Sequence, residues 1–531
     1  MLLLLKCFLY ICGQFLREMK YILVRLYKFK NMNRMKKTKE VFNVLMASVC
    51  ILLCMTAGVA PKKVWNVKDY GAVADGKTVN TVAIQKAIDE CSAAGGGTVL
   101  VEGGVFVSGS LLIKDNVCLH VSEKTTIQAS VNPNDYAFTD PFIDATGQFR
   151  GHCLIGMIDV KNVSLTGKGV IDGQGEMFTH GNIKKTVDRL GITLHTYDFS
   201  TISSNNERYA SKTIRMTYRP FLVRICRSVD VRLKDIELRQ PGAWTCHLFQ
   251  ASNFDIDGVK IYSHANVNND GIDIDSSSNG VIRNTHIDSG DDAICFKSTS
   301  PLPSENVLVE KCRLKSRWGA IKFGTESMGD YRNIIIRDCH IYDTEGGGIK
   351  MLSVDGANID NVLIENITMD NVEMPLFMRL GERGLTYRGV KKLPVGSIKN
   401  VTIRNIQASV RELEECRLKP TSAIYLTGTP NHKIGNIKLE NISIELPGGG
   451  QPNDAKIIVP ENELQYPEYV HLGVTPAYGI YGRHIESLEV DDITFKLRYK
   501  DLRKENEFID IDKQKIDDVS TQMLQWASPK H

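Results

Sequence analysis

The sequence predicts an all-β fold, a right-handed parallel β-helix closed at its N-terminal end by one capping helix. Three observations carry this. First, the segments Ser228-Val-Asp-Val, Asn253-Phe-Asp-Ile, Asn279-Gly-Val-Ile, Asn306-Val-Leu-Val, Asn333-Ile-Ile-Ile and Asn361-Val-Leu-Ile repeat one pattern, with starts 25, 26, 27, 27 and 28 residues apart. Asn400-Val-Thr-Ile, Asn436-Ile-Lys-Leu and Ser487-Leu-Glu-Val continue it at wider intervals, which implies inserted loops. Second, six residues after such starts stand Val259, Thr285, Cys312, Cys339, Ile367, Ile406 and Ile442. One column of small or apolar residues at a fixed register is what stacked coils need for a shared core. Third, no linker divides the 531 residues, so a single elongated repeat domain is expected over 61–499. Short strands at such a period fit β-helix coils, and the fixed leucines of a leucine-rich repeat are missing.

The elements follow in order. An apolar run, Val41 to Val59, comes after the basic Met35-Lys36-Lys37-Thr38-Lys39 and ends in small residues. That is the pattern of an export signal cleaved after Ala60, with a membrane anchor as the alternative. Residues 1–31 then read as a start-site artefact and 32–60 as the signal peptide, which places the protein outside the cytoplasm, secreted or periplasmic. Thr81 to Ala93 is the capping helix, since Val82, Ala83, Ile84, Ala87, Ile88 and Cys91 recur at helical spacing, and Gly95-Gly96-Gly97 ends it. Short strands follow at Thr98 to Val101, Val105 to Val107, Leu111 to Ile113 and Val117 to Val121. Phe178 to Tyr218 is polar and aperiodic, and reads as a long loop over one face. Asn284, Asn366, Asn405 and Asn441 suggest an asparagine ladder at a coil bend. Beyond Tyr499 the chain is highly charged, so 500–531 is expected to be a peripheral helix or a partly disordered tail.

Composition narrows the function. A net charge of +3 gives no case for nucleic acid as partner. Of 13 cysteines four lie in the leader. The remaining odd set forms no disulfide framework and no zinc motif, and Cys312 and Cys339 read as stacked interior thiols. No cofactor, metal or oligomeric signal is present, and a monomer is expected.

One stretch stands out: Asn268 to Lys297 carries Asp270, Asp273, Asp275, Asp288, Asp291 and Asp292 among apolar strand residues. Crowded carboxylates repel, and burial raises the cost. A solvated acidic face or a calcium site is the plainer explanation. The sharper one is a catalytic set whose proximity splits the pKa values, so that one member keeps a proton near neutral pH.

Asn268-Asn269-Asp270-Gly271-Ile272-Asp273 followed by Gly290-Asp291-Asp292 resembles the signature of the family 28 glycoside hydrolases, the polygalacturonase-like enzymes. Asp69-Tyr70-Gly71-Ala72, Asp75-Gly76, Gly169-Val170-Ile171-Asp172-Gly173 and Gln240-Pro241-Gly242-Ala243-Trp244 resemble further parts of that family. The resemblance spans roughly Val64 to Tyr499 and implies a pectin lyase-like right-handed β-helix that hydrolyses pectic poly- or oligosaccharide. It also implies Asp291 as acid, and Asp270 with Asp292 as base. Where the family commonly carries Gly-His-Gly stands Arg317-Trp318-Gly319, and where it carries Arg-x-Lys stands Gly348-Ile349-Lys350. Those family residues handle galacturonate beside the cleaved bond, so the departures point toward an exo-acting or rhamnogalacturonan-type enzyme as well as a polygalacturonase.

Asp270 and Asp291 are about one coil apart and are expected on neighbouring rungs, converging in an open groove. Adjacent strand residues point to opposite faces, so Asp291 and Asp292 can both serve only if the chain bends, a freedom assigned to Gly290. Inversion is expected, with carboxyl groups roughly 6.5–9.5 Å apart. Cations suit an anionic substrate. Lys297, Lys322, Lys350, Arg379 and Arg383 lie near strand ends, and Lys322, Lys350 and Arg379 are taken as substrate-binding. Glu326 is expected to bind a sugar hydroxyl or pair with Lys322, and Trp318 to stack on a sugar or cap a coil. Two rivals remain: a polysaccharide lyase, and a non-catalytic carbohydrate-binding β-helix.

Overall fold

The computed structural model describes residues 63–197 and 218–524. The chain winds as a right-handed parallel β-helix, coil upon coil, and nearly every strand pairing is parallel. The expected interior column is continuous: Val259, Thr285, Cys312, Cys339, Ile367, Ile406 and Ile442 are all buried. Ile367 pairs with Ile406, and Ile406 with Ile442, in one register. Cys312 and Cys339 are free buried thiols in this column. The leader lies outside the described residues, and no helix among them is long and apolar enough to cross a membrane.

Helix α1 (Thr81–Ala93) buries Ile84, Ala87, Ile88 and Cys91. These positions recur at three- and four-residue steps and form one apolar stripe. Packed on the first coils, the stripe covers interior that the solenoid would otherwise expose.

The bends are held by two ladders. Asn405 Nδ2 donates to Asn366 Oδ1 and Asn441 Nδ2 to Asn405 Oδ1, both at 2.9 Å. Asn284 and Asn366 donate instead to Asp257 and Asp338 of the preceding coil. The repeat-starting asparagines build a second ladder, with Asn306 on Asn279, Asn333 on Asn306 and Asn361 on Asn333. All these asparagines have φ near +50° to +60°. Asparagine tolerates that left-handed conformation while its amide donates to the rung below, which explains its recurrence at the bend.

One strand column differs from the others. It contains β1 (Cys246–Phe249), β2 (Ile272–Asp275), β3 (Ile294–Ser298), β4 (Ile321–Ser327), β5 (Ile349–Ser353) and β6 (Leu376–Leu380). Every residue in these strands is buried, whereas the neighbouring Ser252–Asp257 and Ser278–Arg283 alternate between buried and accessible. The outward side chains of β1–β6 are therefore roofed. An antiparallel pairing of Phe138–Ile143 with Phe149–Ile158 forms part of the roof. The insertion around Val459 to Leu472 forms another part, its Tyr469 and Leu472 packed with Phe377, Tyr425 and Tyr481. Each of these two anchors contributes about 1.5–3 kcal/mol by burial.

Two expectations are corrected. Residues 178–218 are not one loop, because α2 (His180–Leu190) lies within them, capped by Thr179 and ended by Gly191 at φ 62°. Residues 198–217 lie outside the described residues. The charged C-terminal segment is neither helix nor disordered over its described part: Lys504–Ile516 and Val519–Met523 pair with Ala477–Leu497 as the last coil. Its charges face solvent on a terminal rung, where they also discourage pairing with another chain.

Candidate active site

The register decides which carboxylates meet. Ile272 pairs with Ile294, an offset of 22 residues, and Gly271 N donates to Asp292 O at 2.8 Å. Asp292, not Asp291, therefore stacks on Asp270. Asp291 precedes it on the bend and reaches solvent in part, while Asp270 and Asp292 are 3% and 2% exposed. One carboxylate oxygen from each of Asp270, Asp291 and Asp292 lies within 4.8 Å of the others. This is closer than the roughly 6.5–9.5 Å of usual inverting pairs.

The glycines here make room. Gly290 is outside the left-handed region, contrary to expectation; a Cβ there would lie 2.7 Å from the Asn269 amide. At Gly319 a Cβ would lie 2.6 Å from Lys350 Cε and 2.8 Å from Asp292 Oδ1.

Two lysines hold the carboxylates. Lys297 Nζ lies 3.4 Å from Asp270, 3.5 Å from Asp273 and 3.3 Å from Glu326, and 4.5 Å from the centre of the Trp244 ring. Lys322 Nζ lies 2.9 Å from Asp292, whose other oxygen accepts from Gly319 N. Burial raises Asp270, with Lys297 opposing and Asp292 adding to the rise. Burial, then Asp270 and Asp292, pushes Asp291 well above the usual carboxylate range. Burial and Asp270 do the same to Asp273. A divalent cation among the three carboxylates would face both ammoniums, which already supply the counter-charge.

The carboxylates line a narrow pocket with Ala145, Thr146, Trp244, Asn268, Lys297, Lys322, Thr325, Glu326 and Tyr466. Its volume is about 40 Å3. That is room for a few waters and not the open groove expected from sequence. Asp270 Oδ1 is buried there without a hydrogen-bond partner.

The expected substrate-binding residues divide. Lys322 and Glu326 line the pocket. Glu326 pairs with Lys297 rather than Lys322, and its other oxygen accepts from Ala145 N. Burial pushes Glu326 up, but Lys297 and that amide outweigh it and hold it below the usual value. Arg379 does not reach the pocket; it is buried against Thr427, Gly428 O and Glu461 O. Arg383 is locked by Asp355. Lys350 is fully buried behind the pocket wall. Trp318 is no free platform, because Lys350 and Arg417 sit over its ring at 4.6 and 4.5 Å.

Sequence reasoning missed Glu468. Fully buried, it accepts from Trp318 Nε1 at 2.9 Å and pairs with Lys322 at 3.1 Å and Lys350 at 3.0 Å. It sits on the insertion, outside the repeat register, so no spacing marked it. Trp244 and Tyr466 were also missed as pocket walls. Burial raises Glu468, yet Lys350 and Lys322 prevail and lower it to about 2. A depressed carboxylate contributes stability that is complete above its ordinary value and is lost as pH falls through the folded one. The melting temperature should therefore drop between about pH 4.5 and 2, and less steeply in Glu468→Gln, as a calorimetric pH series would show.

Comparison with known proteins bears on family and fold. The family described as glycosyl hydrolases family 28 matches residues 91–462. An exo-poly-alpha-D-galacturonosidase of Dickeya chrysanthemi is 30% identical over 51% of this chain and 49% of its own length. The match thus spans about half of that relative. A probable polygalacturonase of Vitis vinifera is 24% identical over 71% of this chain and 73% of its own. The solved structure of a family 28 exopolygalacturonase from Yersinia enterocolitica superposes with a TM-score of 0.65 at 20% identity. It covers 86% of this chain and 79% of that one, and shows the same fold.

Proposed function

The chain belongs to the family 28 glycosyl hydrolases, and from that premise we propose that it hydrolyses glycosidic bonds of galacturonate-containing pectic saccharides from a chain end. The observation that carries this is the convergence of Asp270, Asp291 and Asp292 on one small pocket. Asp291 is the acid: burial and its two neighbours favour its protonated form, and its partly exposed position faces an arriving sugar. Asp270 and Asp292 hold the attacking water and take its proton. Both are occupied by lysines, and Asp292 also by the Gly319 amide, so water rather than a carboxylate is the freer nucleophile. A water activated between held carboxylates supports inversion despite the short spacing.

Relatives named exo-poly-alpha-D-galacturonosidase and exopolygalacturonase point to action at a chain end. The signal-like run before Ala60 supports a reaction outside the cytoplasm. Proton NMR of pectic oligosaccharides during turnover tests the reading. The expected result is release of one terminal unit per event, with the first-formed anomer inverted. Retained configuration would contradict the water-attack step, and internal cleavage would contradict end action.

A further inference from the structure

The Asp292 carboxylate has two polar contacts among the described residues, and both lead back to one side chain outside the pocket. Oδ2 faces Lys322 Nζ at 2.9 Å, and Oδ1 accepts from Gly319 N at 3.0 Å. Lys322 Nζ lies 3.1 Å from Glu468 Oε1. Trp318, the residue before Gly319, donates its indole N–H to that same oxygen at 2.9 Å. Glu468 is fully buried and is not one of the residues lining the pocket, so it bears on the reaction only through these neighbours. A lysine devoted to one carboxylate favours the ionised form of that carboxylate and weakens it as a base. Sharing Lys322 with Glu468 divides the ammonium's charge, while the Trp318 bond fixes the segment that offers Gly319 N to Asp292. Lys350 balances Glu468 from the far side at 3.0 Å. Packing sets its place, because the next residue, Tyr469, is buried among Phe377, Tyr425 and Tyr481. Asp270 is held in the same way: Lys297 is shared between it and Glu326, at 3.4 and 3.3 Å. Glu326 lines the pocket, so replacing it would mix two effects, whereas Glu468 isolates one.

We propose that Glu468 is a positioning residue for the base side of the reaction: it aims Asp292 at the water through Trp318 and Gly319, and keeps Lys322 from claiming that carboxylate alone. This rests on the hydrolase reading, in which Asp292 helps to take the proton of the attacking water.

The test is steady-state turnover of a pectic oligosaccharide by the full chain and two variants, each first shown by circular dichroism to be folded at the assay temperature. Glu468→Gln keeps the shape and can still accept the Trp318 N–H, but it leaves Lys322 and Lys350 with one carboxylate fewer. Its kcat should fall by about tenfold or more, as for an impaired general base, while KM changes by less than about threefold because no substrate contact is lost. Glu468→Gln with Lys350→Met removes the unpaired buried ammonium that the single variant creates. It should regain thermal stability, yet its kcat should stay low, because Lys322 still lacks its second partner. Should the single variant not fold, the double variant carries the same comparison with the parent. Recovery of kcat along with stability would overturn the proposal, since Glu468 would then serve only to neutralise Lys350. An unchanged kcat in Glu468→Gln, or a loss confined to KM, would overturn it too. A parent that cleaves no pectic saccharide would overturn the hydrolase reading and the base assignment with it, a result distinct from an active parent whose variants keep their kcat.

Discussion

Asp291→Asn should lower kcat on a pectic oligosaccharide by about 10²–10⁴-fold, the range of a lost general acid, with KM changed only a few-fold. The asparagine amide matches the carboxyl in shape, and its oxygen can still accept from Asp292 N, as Asp291 Oδ1 does at 3.0 Å. The bend is therefore kept while the transferable proton is lost. The pH profile gives an independent sign. Burial, Asp270 and Asp292 hold the Asp291 pKa well above the ordinary carboxylate value. In the parent, kcat/KM should fall as pH rises through that value, because the acid form disappears. In Asp291→Asn that basic limb should vanish. A glycoside whose leaving group needs no protonation should recover most of the lost rate, and failure to recover it would move the acid role elsewhere.

Lys297→Met should destabilise the fold by about 3–5 kcal/mol near neutral pH, the cost of stripping the partner from buried charge. Lys297 is the shared counter-ion of Asp270, Asp273 and Glu326, all buried. Methionine fills much the same length and can still lie against Trp244, so packing loss is minor. The deficit should shrink on acidification. Asp270 and Asp273 have raised pKa values, so they take up protons first as pH falls, and a neutral carboxyl needs no counter-ion. Urea unfolding of both proteins across a pH series checks this. A difference independent of pH would mean that Lys297 acts through packing and not through charge.

The coil architecture was readable because a solenoid repeats its constraints. Val259, Thr285, Cys312 and Cys339 mark the interior at a fixed register, and the asparagines of the bends announce a left-handed backbone that few other residues adopt. Crowding marked the region of six aspartates, and the family resemblance singled out Asp270, Asp291 and Asp292, which the fold brings together. What the sequence did not disclose lies off the repeat. Glu468 reaches the site from an insertion whose place in the fold is set by Tyr469 and Leu472, and neither sits at a periodic position. Arg379 looked like a substrate cation because it sits on the right column, but hydrogen bonds from a neighbouring loop hold it elsewhere. The 22-residue offset that pairs Asp270 with Asp292 differs by one from the offset to Asp291, and only the strand register decides between them. The charged C-terminal coil was misjudged because an exposed edge strand and a solvated helix can share a composition.

Hydrolysis at this site requires water to be split between Asp270 and Asp292 while Asp291 protonates the departing oxygen. Turnover in 18O-labelled water measures this most directly, with mass spectrometry of the products. One 18O at each new reducing end, and no ultraviolet-absorbing unsaturated uronide, is the predicted result. Unlabelled products carrying a double bond would contradict it and assign the carboxylates to elimination.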